Sequence, residues 1–415
     1  MGAACPGCFE GFALAGRSQG VATLRVAAGE GFAAAFGGAR AVAIGIAPGR
    51  AEVLGNHTDY NEGFILAAAI DRYVVIAGRR VDGTVCSVAS ASFQGLVTFS
   101  SEKPEKQTGD KAWANYVAGV VSELGKLWGV KLGGFNAFVT SDVPSGAGVS
   151  SSAALEMATA KLLARLFPES VGKLSQLDLV KACKAAENNF VGMGCGILDQ
   201  FSSGMGKAGQ LHILDCRTLE CSYAPFVGAT FVLANTNSPH ALVDGQYDEL
   251  RKNCFAAAES IKKATGRRGI THLRDVDSQL FAAVEDSLPE AQRKRAKHIV
   301  FENERVHDGI KALKANDMIT LGRYMSGSHR SSKEDFGNSS KELNVMVACA
   351  QGIHGFLGGR LMGGGFGGST INLVREGYAE SFSKELAHRY EAQTGIKPAV
   401  LICQPGDGAT GEPLA

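Results

Sequence analysis

The chain has 415 residues, 45% of them hydrophobic and 20% charged, with a formal net charge of +1. That length accommodates two domains with cores of their own, and the near-neutral balance gives no charge basis for a nucleic-acid or anionic-membrane partner. No run of 18 apolar residues occurs and no basic stretch followed by an apolar one opens the sequence, so a cytoplasmic protein without a membrane partner is expected.

Cysteines at 5, 8, 86, 183, 195, 216, 221, 254, 349 and 403 show no repeated spacing of the kind a disulfide framework has, which points to a reducing compartment. Cys5 and Cys8 make one C-x-x-C, but no second pair or histidine follows at zinc-finger spacing, so free thiols are expected. Pro6 stands where an N-myristoylation signal needs Ser or Thr.

In chain order, residues 1–40 are rich in Gly and Ala and weakly patterned, and read as a lead-in without chemistry. Residues 41–46 form a short apolar strand that Ala47, Pro48 and Gly49 should end in a turn. Residues 50–60, RAEVLGNHTDY, then crowd polar side chains into an expected loop ahead of a second strand at 64–77. A polar loop between buried strands suits a binding site; the lesser alternative is that Asn56, Thr58, Asp59 and Asn61 serve only turn hydrogen bonds. A helical stretch starts at Trp113 and runs through Leu127, and Trp113 could either stack on a base or belong to the core.

Residues 134–140 read as a strand, and 143–167, VPSGAGVSSSAALEMATAKLLARLF, as a glycine-rich turn running into an amphipathic helix. The first turn of a helix has unpartnered N–H groups and the positive end of the helix dipole, so this arrangement can cradle a phosphate. Gly146 and Gly148 would admit the anion, while Ser150, Ser151 and Ser152 could cap the helix and add hydroxyls; an ordinary capped helix has the same pattern. No G-x-x-x-x-G-K-[ST] phosphate loop occurs.

Residues 177–190 are helical with Glu187 near the end, and 194–200, GCGILDQ, set Asp199 among small and apolar neighbours. A carboxylate in that setting must find a cation, a metal or a hydroxyl. Strands are expected at 210–215 and 230–235, with a domain boundary near 225 between them. A polar helix starts at Gly245, Gln246 and Tyr247, and two long charged helices are expected at about 290–314 and 316–352. The densest glycine run, 358–368 (GGRLMGGGFGG), precedes a strand at 369–374, which argues for close backbone approach rather than a linker.

Three separated motifs, APGR…GNHTDYNEG, PSGAGVSSSAALE and GGRLMGGGFGGS, together resemble the galactokinase family, within the superfamily that joins galactokinase, homoserine kinase, mevalonate kinase and phosphomevalonate kinase. WANYVAG, AENNFVGMGCGILDQF, ILDCRTLE, GQYDELR, LRDV, ENERV and GSHRSSKEDFGNSSKELN follow the same order, so the resemblance covers nearly everything after residue 40. It implies a two-domain α/β (α+β) small-molecule kinase fold, with domains at about 41–225 and 226–415 and the active site in the cleft between them. It also implies ATP and Mg2+ as cofactors, a small sugar as the other partner, and a monomer. By the same resemblance Asp199 faces the anomeric hydroxyl, Arg50 lies by the transferred phosphoryl group, and Ser152 and Glu187 hold magnesium. Ser145, Gly146, Ala147, Gly148, Val149, Ser150 and Ser151 fall on the phosphate loop, and Asn56, His57, Asp59, Gly196 and Tyr247 on the sugar side.

Two departures stand out: Asn56 replaces a frequent glutamate expected near the sugar 6-hydroxyl, and Glu52 replaces a frequent asparagine. Tyr247 is followed by Asp248, Glu249, Leu250 and Arg251 rather than the usual Asn-x-Arg-Arg. The leading expectation is phosphorylation of D-galactose at carbon 1. A kinase for N-acetylgalactosamine or L-arabinose, or a non-catalytic sugar sensor on the same fold, are the alternatives; the HTDY and GQY segments speak against mevalonate or homoserine as substrate.

Overall fold

The computed structural model describes residues 20–238 and 245–414, so Cys5, Cys8 and their C-x-x-C lie outside the described residues. The first half comprises α1 (Gly20–Ala35), β1 (Ala43–Leu54), β2 (Phe64–Val81), β3 (Val85–Ser90), β4 (Val97–Ser100), α2 (Asn115–Trp128), β5 (Gly134–Ser141), α3 (Ser151–Leu166), α4 (Gln176–Ala185), α5 (Leu198–Met205), β6 (Gln210–Asp215) and β7 (Cys221–Pro225). The second comprises β8 (Ala229–Asn235), α6 (Gln246–Thr265), α7 (Ser278–Val284), α8 (Glu290–Lys314), α9 (Met318–Ser331), α10 (Lys341–Ala350), β9 (Phe356–Leu361), β10 (Ser369–Arg375), α11 (Ala379–Thr394), β11 (Ala399–Cys403) and β12 (Thr410–Pro413). Among the described residues no helix is long and apolar enough to cross a membrane.

The first sheet runs β12-β1-β2-β5-β3-β4, and the long β2 also pairs at its start with β6, which pairs β7; the second runs β11-β8-β10-β9. Only β3 and β5 pair in parallel among the described strands. Every residue of β1 is buried, because both faces of the first sheet are covered. On one face Leu24, Ala28 and Phe32 of α1 pack on Ile44, Ile46, Val75 and Ala77. On the other, α3 crosses so closely that a Cβ on Gly45 would stand 1.9 Å from the Ala158 carbonyl.

Four sequence expectations are corrected here. The lead-in is a helix from residue 20, whose stripe of Leu24, Ala28 and Phe32 repeats every four residues but is diluted by alanine and glycine. Pro48 and Gly49 do not end β1: the strand continues to Leu54 through an irregularity between Pro48 and Arg50, so Arg50 and Glu52 stand on a rigid strand rather than a loop. The expected helix at 316–352 is two, separated at Gly337, whose φ of +76° ends the first segment. The chain passes to the second sheet between β7 and β8, but β12 returns to pair with β1, so residues 410–413 belong to the first sheet.

Candidate active site

β1 brings Arg50 to the first turn of α5, where its Nε and Nη2 donate to Asp199 Oδ1 and Oδ2 at 2.8 and 3.0 Å. Its third donor, Nη1, bonds the Gly148 carbonyl. Burial opposes the charge on Arg50, yet the Asp199 carboxylate, with Glu52 and Asp59 nearby, holds its pKa above the ordinary value. Asp199 also accepts a hydrogen bond from the Ser150 hydroxyl. Ser150, expected to cap α3, makes no side-chain cap; it holds the carboxylate instead.

The geometry of the loop before α3 follows from where its carbonyls go. Ser369 Oγ donates to Ala147 O at 2.5 Å, Arg50 Nη1 to Gly148 O, and the Arg50 backbone N–H to Val149 O at 3.0 Å. In a trans peptide the N–H opposes the carbonyl, so the N–H groups of Gly148, Val149 and Ser150 point the other way, beside the first turn of α3. Left-handed backbones at Gly146, Gly148 and Ser150 (φ 71°, 68° and 57°) give the alternation that makes an anion-binding nest. Ser145 and Gly146 are exposed and Ser151 and Ser152 half-buried, so the concavity is open to a ligand.

Ser152 Oγ lies 3.3 Å from Glu187 Oε1, in the π-helical turn that ends α4. Burial, with Asp199 adding, pushes the Glu187 carboxyl up to about 7. A hydroxyl beside a carboxylate at an anion site is an oxygen donor pair suited to magnesium arriving with phosphates. Behind it, Gln200 Nε2 donates both to Glu187 Oε2 and, at 2.9 Å, to Glu156 Oε2, whose carboxyl burial holds well above the usual range.

Next to it, the loop after β1 folds over its own polar groups. Glu302 of α8 accepts from the backbone N–H of Gly55 and Asn56 at 3.0 and 3.2 Å. His57, itself left-handed, has Nε2 on the Gly364 carbonyl at 3.1 Å and Nδ1 on the Tyr60 hydroxyl at 2.9 Å, which assigns the proton to Nε2. Burial lowers its pKa to about 4, so the ring is neutral, and it stands 5.2 Å from the Tyr247 ring. Asp59 lies against Gly196, where a Cβ would come 1.7 Å from Asp59 Oδ2. Burial, with Asp199 and Glu52 adding, raises the Asp59 carboxyl to about 6.

The structure therefore gathers Arg50, Asp199, Ser150, Gly148, Asp59, Gly196, His57 and Tyr247, with Ser152 and Glu187 adjoining. Two expected residues are turned elsewhere. Asn56 is 1% exposed, and its amide is used within the protein: Nδ2 on Glu52 and Gly363, Oδ1 accepting from Ser332 and Asn338. Trp113 is buried in the main core, stacked on Phe93 with centroids 5.4 Å apart. Sequence reasoning missed Glu302, His298 and Asn338, which brace the 55–57 loop; the available signal was a glutamate on the buried stripe of α8 between Ile299 and Val306.

Three family models match the chain: the galactokinase galactose-binding signature over residues 30–80, the GHMP kinases N terminal domain over 115–207 and the GHMP kinases C terminal domain over 310–392. A galactokinase of Roseiflexus sp. (strain RS-1) is 38% identical over 365 residues, covering 87% of this chain and 91% of the relative. One of Actinobacillus pleuropneumoniae serotype 5b (strain L20) is 39% identical over 367 residues, covering 87% and 93%. The crystal structure of Lactococcus lactis galactokinase complexed with galactose superposes with a TM-score of 0.86 at 32% identity, covering 92% of this chain and 98% of that one. The Methanococcus jannaschii mevalonate kinase structure shares the fold, with a TM-score of 0.59 at 15% identity over 88% of this chain and 98% of that one.

Proposed function

We propose that this chain, which belongs to the galactokinase family and is a kinase of the two-domain α/β GHMP fold, phosphorylates D-galactose at its anomeric hydroxyl, using ATP and Mg2+. The observation that carries this reading is the Arg50–Asp199 pair set against the nest at the start of α3, an ion pair lying beside an anion site. A sugar hydroxyl is a weak nucleophile, and Asp199, its two oxygens held by Arg50, accepts the proton of the hydroxyl or aligns it for attack. Arg50 then has its charge next to the phosphoryl group in transit, where fixed positive charge stabilises the transition state most. The 148–150 amides and the α3 dipole hold the nucleotide phosphates. Ser152 and Glu187 would hold the magnesium that accompanies ATP, and its charge would offset that of the phosphates. Asp59, Gly196 and Tyr247 orient the sugar.

A pentose reading is also favoured by one observation: with the Asn56 amide turned inward, residue 56 offers no polar atom to an exocyclic hydroxyl, so L-arabinose belongs in the test. The test is ADP release with ATP and magnesium across D-galactose, N-acetylgalactosamine and L-arabinose, with Asp199→Asn as control. Turnover highest on galactose and collapsed in the variant supports the proposal. Preference for another sugar transfers the reading to that sugar, and tight sugar and ATP binding without turnover sinks it.

A further inference from the structure

The two departures from the usual motif touch. Asn56 Nδ2 donates to Glu52 Oε1 at 3.2 Å, and between them these two side chains hold both backbone groups of one residue in the other half of the chain. Glu52 Oε2 accepts the Gly363 N–H at 3.2 Å, and Asn56 Nδ2 donates to the Gly363 carbonyl at 2.8 Å. Glu52 is 2% exposed, and its Oε1 pairs with Arg360 Nη1 at 3.3 Å. Gly363 has φ +70°, and a Cβ built on it would lie 3.7 Å from Arg50 Nη2 and 3.6 Å from Gly148 O. The residue being held is thus the part of the glycine-rich loop that borders the Arg50–Asp199 pair and the nest.

The geometry points to Glu52 and Asn56 as paired positioning residues that clamp Gly363, and with it the 362–368 loop, over the phosphoryl-transfer groups, with their residue types coupled: carboxylate at 52, amide at 56. The coupling is chemical. Residue 56 must donate to a carbonyl, which an ionised carboxylate cannot do; residue 52 must accept an N–H while balancing a wholly buried guanidinium. Arg360 is 0% exposed, and its Nε and Nη2 have no hydrogen-bond partner, so loss of the Glu52 charge removes its ion pair and leaves the Val53 carbonyl and the nearby Glu302 carboxylate to balance it. The clamp's effect on turnover rests on the kinase reading; its effect on the loop does not.

The test uses the full chain and the near-isosteric variants Asn56→Asp, Glu52→Gln and the double variant, with Asn56→Ala as a milder loss of the donor. Amide hydrogen exchange of peptides covering 362–368 and 369–375 is measured without substrates, beside kcat and KM. The clamp predicts that Asn56→Asp and Asn56→Ala speed exchange in 362–368 about tenfold or more, as loss of a buried hydrogen bond implies, with 369–375 within about twofold of the parent. In the double variant the new amide at position 52 can donate to the new carboxylate at position 56, restoring the bond between the side chains but not the donor to Gly363, so fast exchange persists. Rescue of the loop by the double variant, or unchanged exchange in both variants at 56, overturns the clamp. An inactive parent whose variants still loosen the loop counts against the kinase reading and leaves the clamp standing, whereas an active parent whose variants lose kcat without loosening it overturns the clamp alone.

Discussion

Arg50 meets Asp199 with two nitrogens on two oxygens, Nε at 2.8 Å and Nη2 at 3.0 Å, across 149 positions of sequence. The paired geometry fixes the carboxylate plane as well as its charge. Asp199→Asn keeps the shape and loses the proton acceptor, so kcat for the sugar is expected to fall about 10²–10⁴-fold while ATP binding stays close to that of the parent. Steady-state kinetics with binding calorimetry checks both. Equal loss in kcat and ATP affinity would place Asp199 in nucleotide binding instead.

Arg50→Lys keeps one charge and loses the fork. A lysine cannot bond both Asp199 oxygens and the Gly148 carbonyl together, so both the carboxylate and the nest lose their brace. A kcat loss of about 100-fold or more, with a rise in KM for ATP, is expected from initial rates. A variant within about twofold of the parent would show that a point charge suffices.

Gly196→Ala should separate the sugar from the nucleotide. The new methyl group would collide with Asp59 Oδ2, displacing a group assigned to the sugar while leaving the nest untouched. We expect KM for the sugar to rise about tenfold or more, an energy of the size of one charged hydrogen bond, with inhibition by ADP unchanged. Weakened ADP inhibition would show that the change spreads beyond Asp59.

How much of this was legible beforehand depended on range. Arg50, Asp199, Ser152 and Glu187 were picked out through the resemblance that short motifs carry, and the structure brings Arg50 to Asp199 and Ser152 to Glu187, while the nest follows from local glycine spacing. What binds across the fold left no local mark: Glu302 is one charged residue among many on α8, and the bond from Asn56 to Gly363 joins positions 307 apart. Similarly, β1 looked finished at Pro48 because a turn signal is local, whereas the pairing that carries the strand on to Leu54 is made with β2.

The acid limb of stability should be flat and then steep. Burial lowers His57 and His212 to about 4 and His298 to about 3, against about 6.5 when unfolded, so as pH falls below 6.5 the unfolded chain gains protons that the folded one refuses, and stability is lost. Asp59, raised to about 6, Glu187, raised to about 7, and Glu156, also raised, act oppositely: between their folded values and about 4 the folded chain takes protons first. Each full proton of difference is worth about 1.4 kcal/mol per pH unit, and the two sets, joined by His329 lowered to about 4 on one side and Asp71 raised on the other, largely offset one another down to about pH 4.5. Below that the carboxyls of the unfolded chain begin to take protons as well, so their compensation fades while the histidines go on destabilising until pH nears their folded values, and Glu302 joins them. Against the pull of burial, Arg305 and Arg360 hold its carboxyl well below the usual range, so the unfolded state protonates first. Urea midpoints from pH 7 to 3.5 are expected to change little above about pH 4.5 and drop sharply beneath it. A steady fall from pH 6.5 would show that the carboxyls do not compensate.

Gly45→Ala tests the seat of α3. With the Ala158 carbonyl 1.9 Å from the new Cβ, and backbone on both sides, α3 and β1 must part, at a cost of about 2–3 kcal/mol. Denaturant unfolding checks this, and a change below about 0.5 kcal/mol would mean the helix shifts freely.

The pairing of residues 43–46 with 410–413 also has a consequence during synthesis. The strand that carries Arg50 leaves the ribosome early, yet its outer edge is closed by residues made almost a whole chain later. Throughout elongation that uncovered edge is an open template for strand addition, and such a distant pairing is slow to form. A nascent chain stalled or truncated before residue 410 would therefore tend to aggregate through β1, making β12, remote from every reacting group, the element that guards the strand on which Arg50 stands.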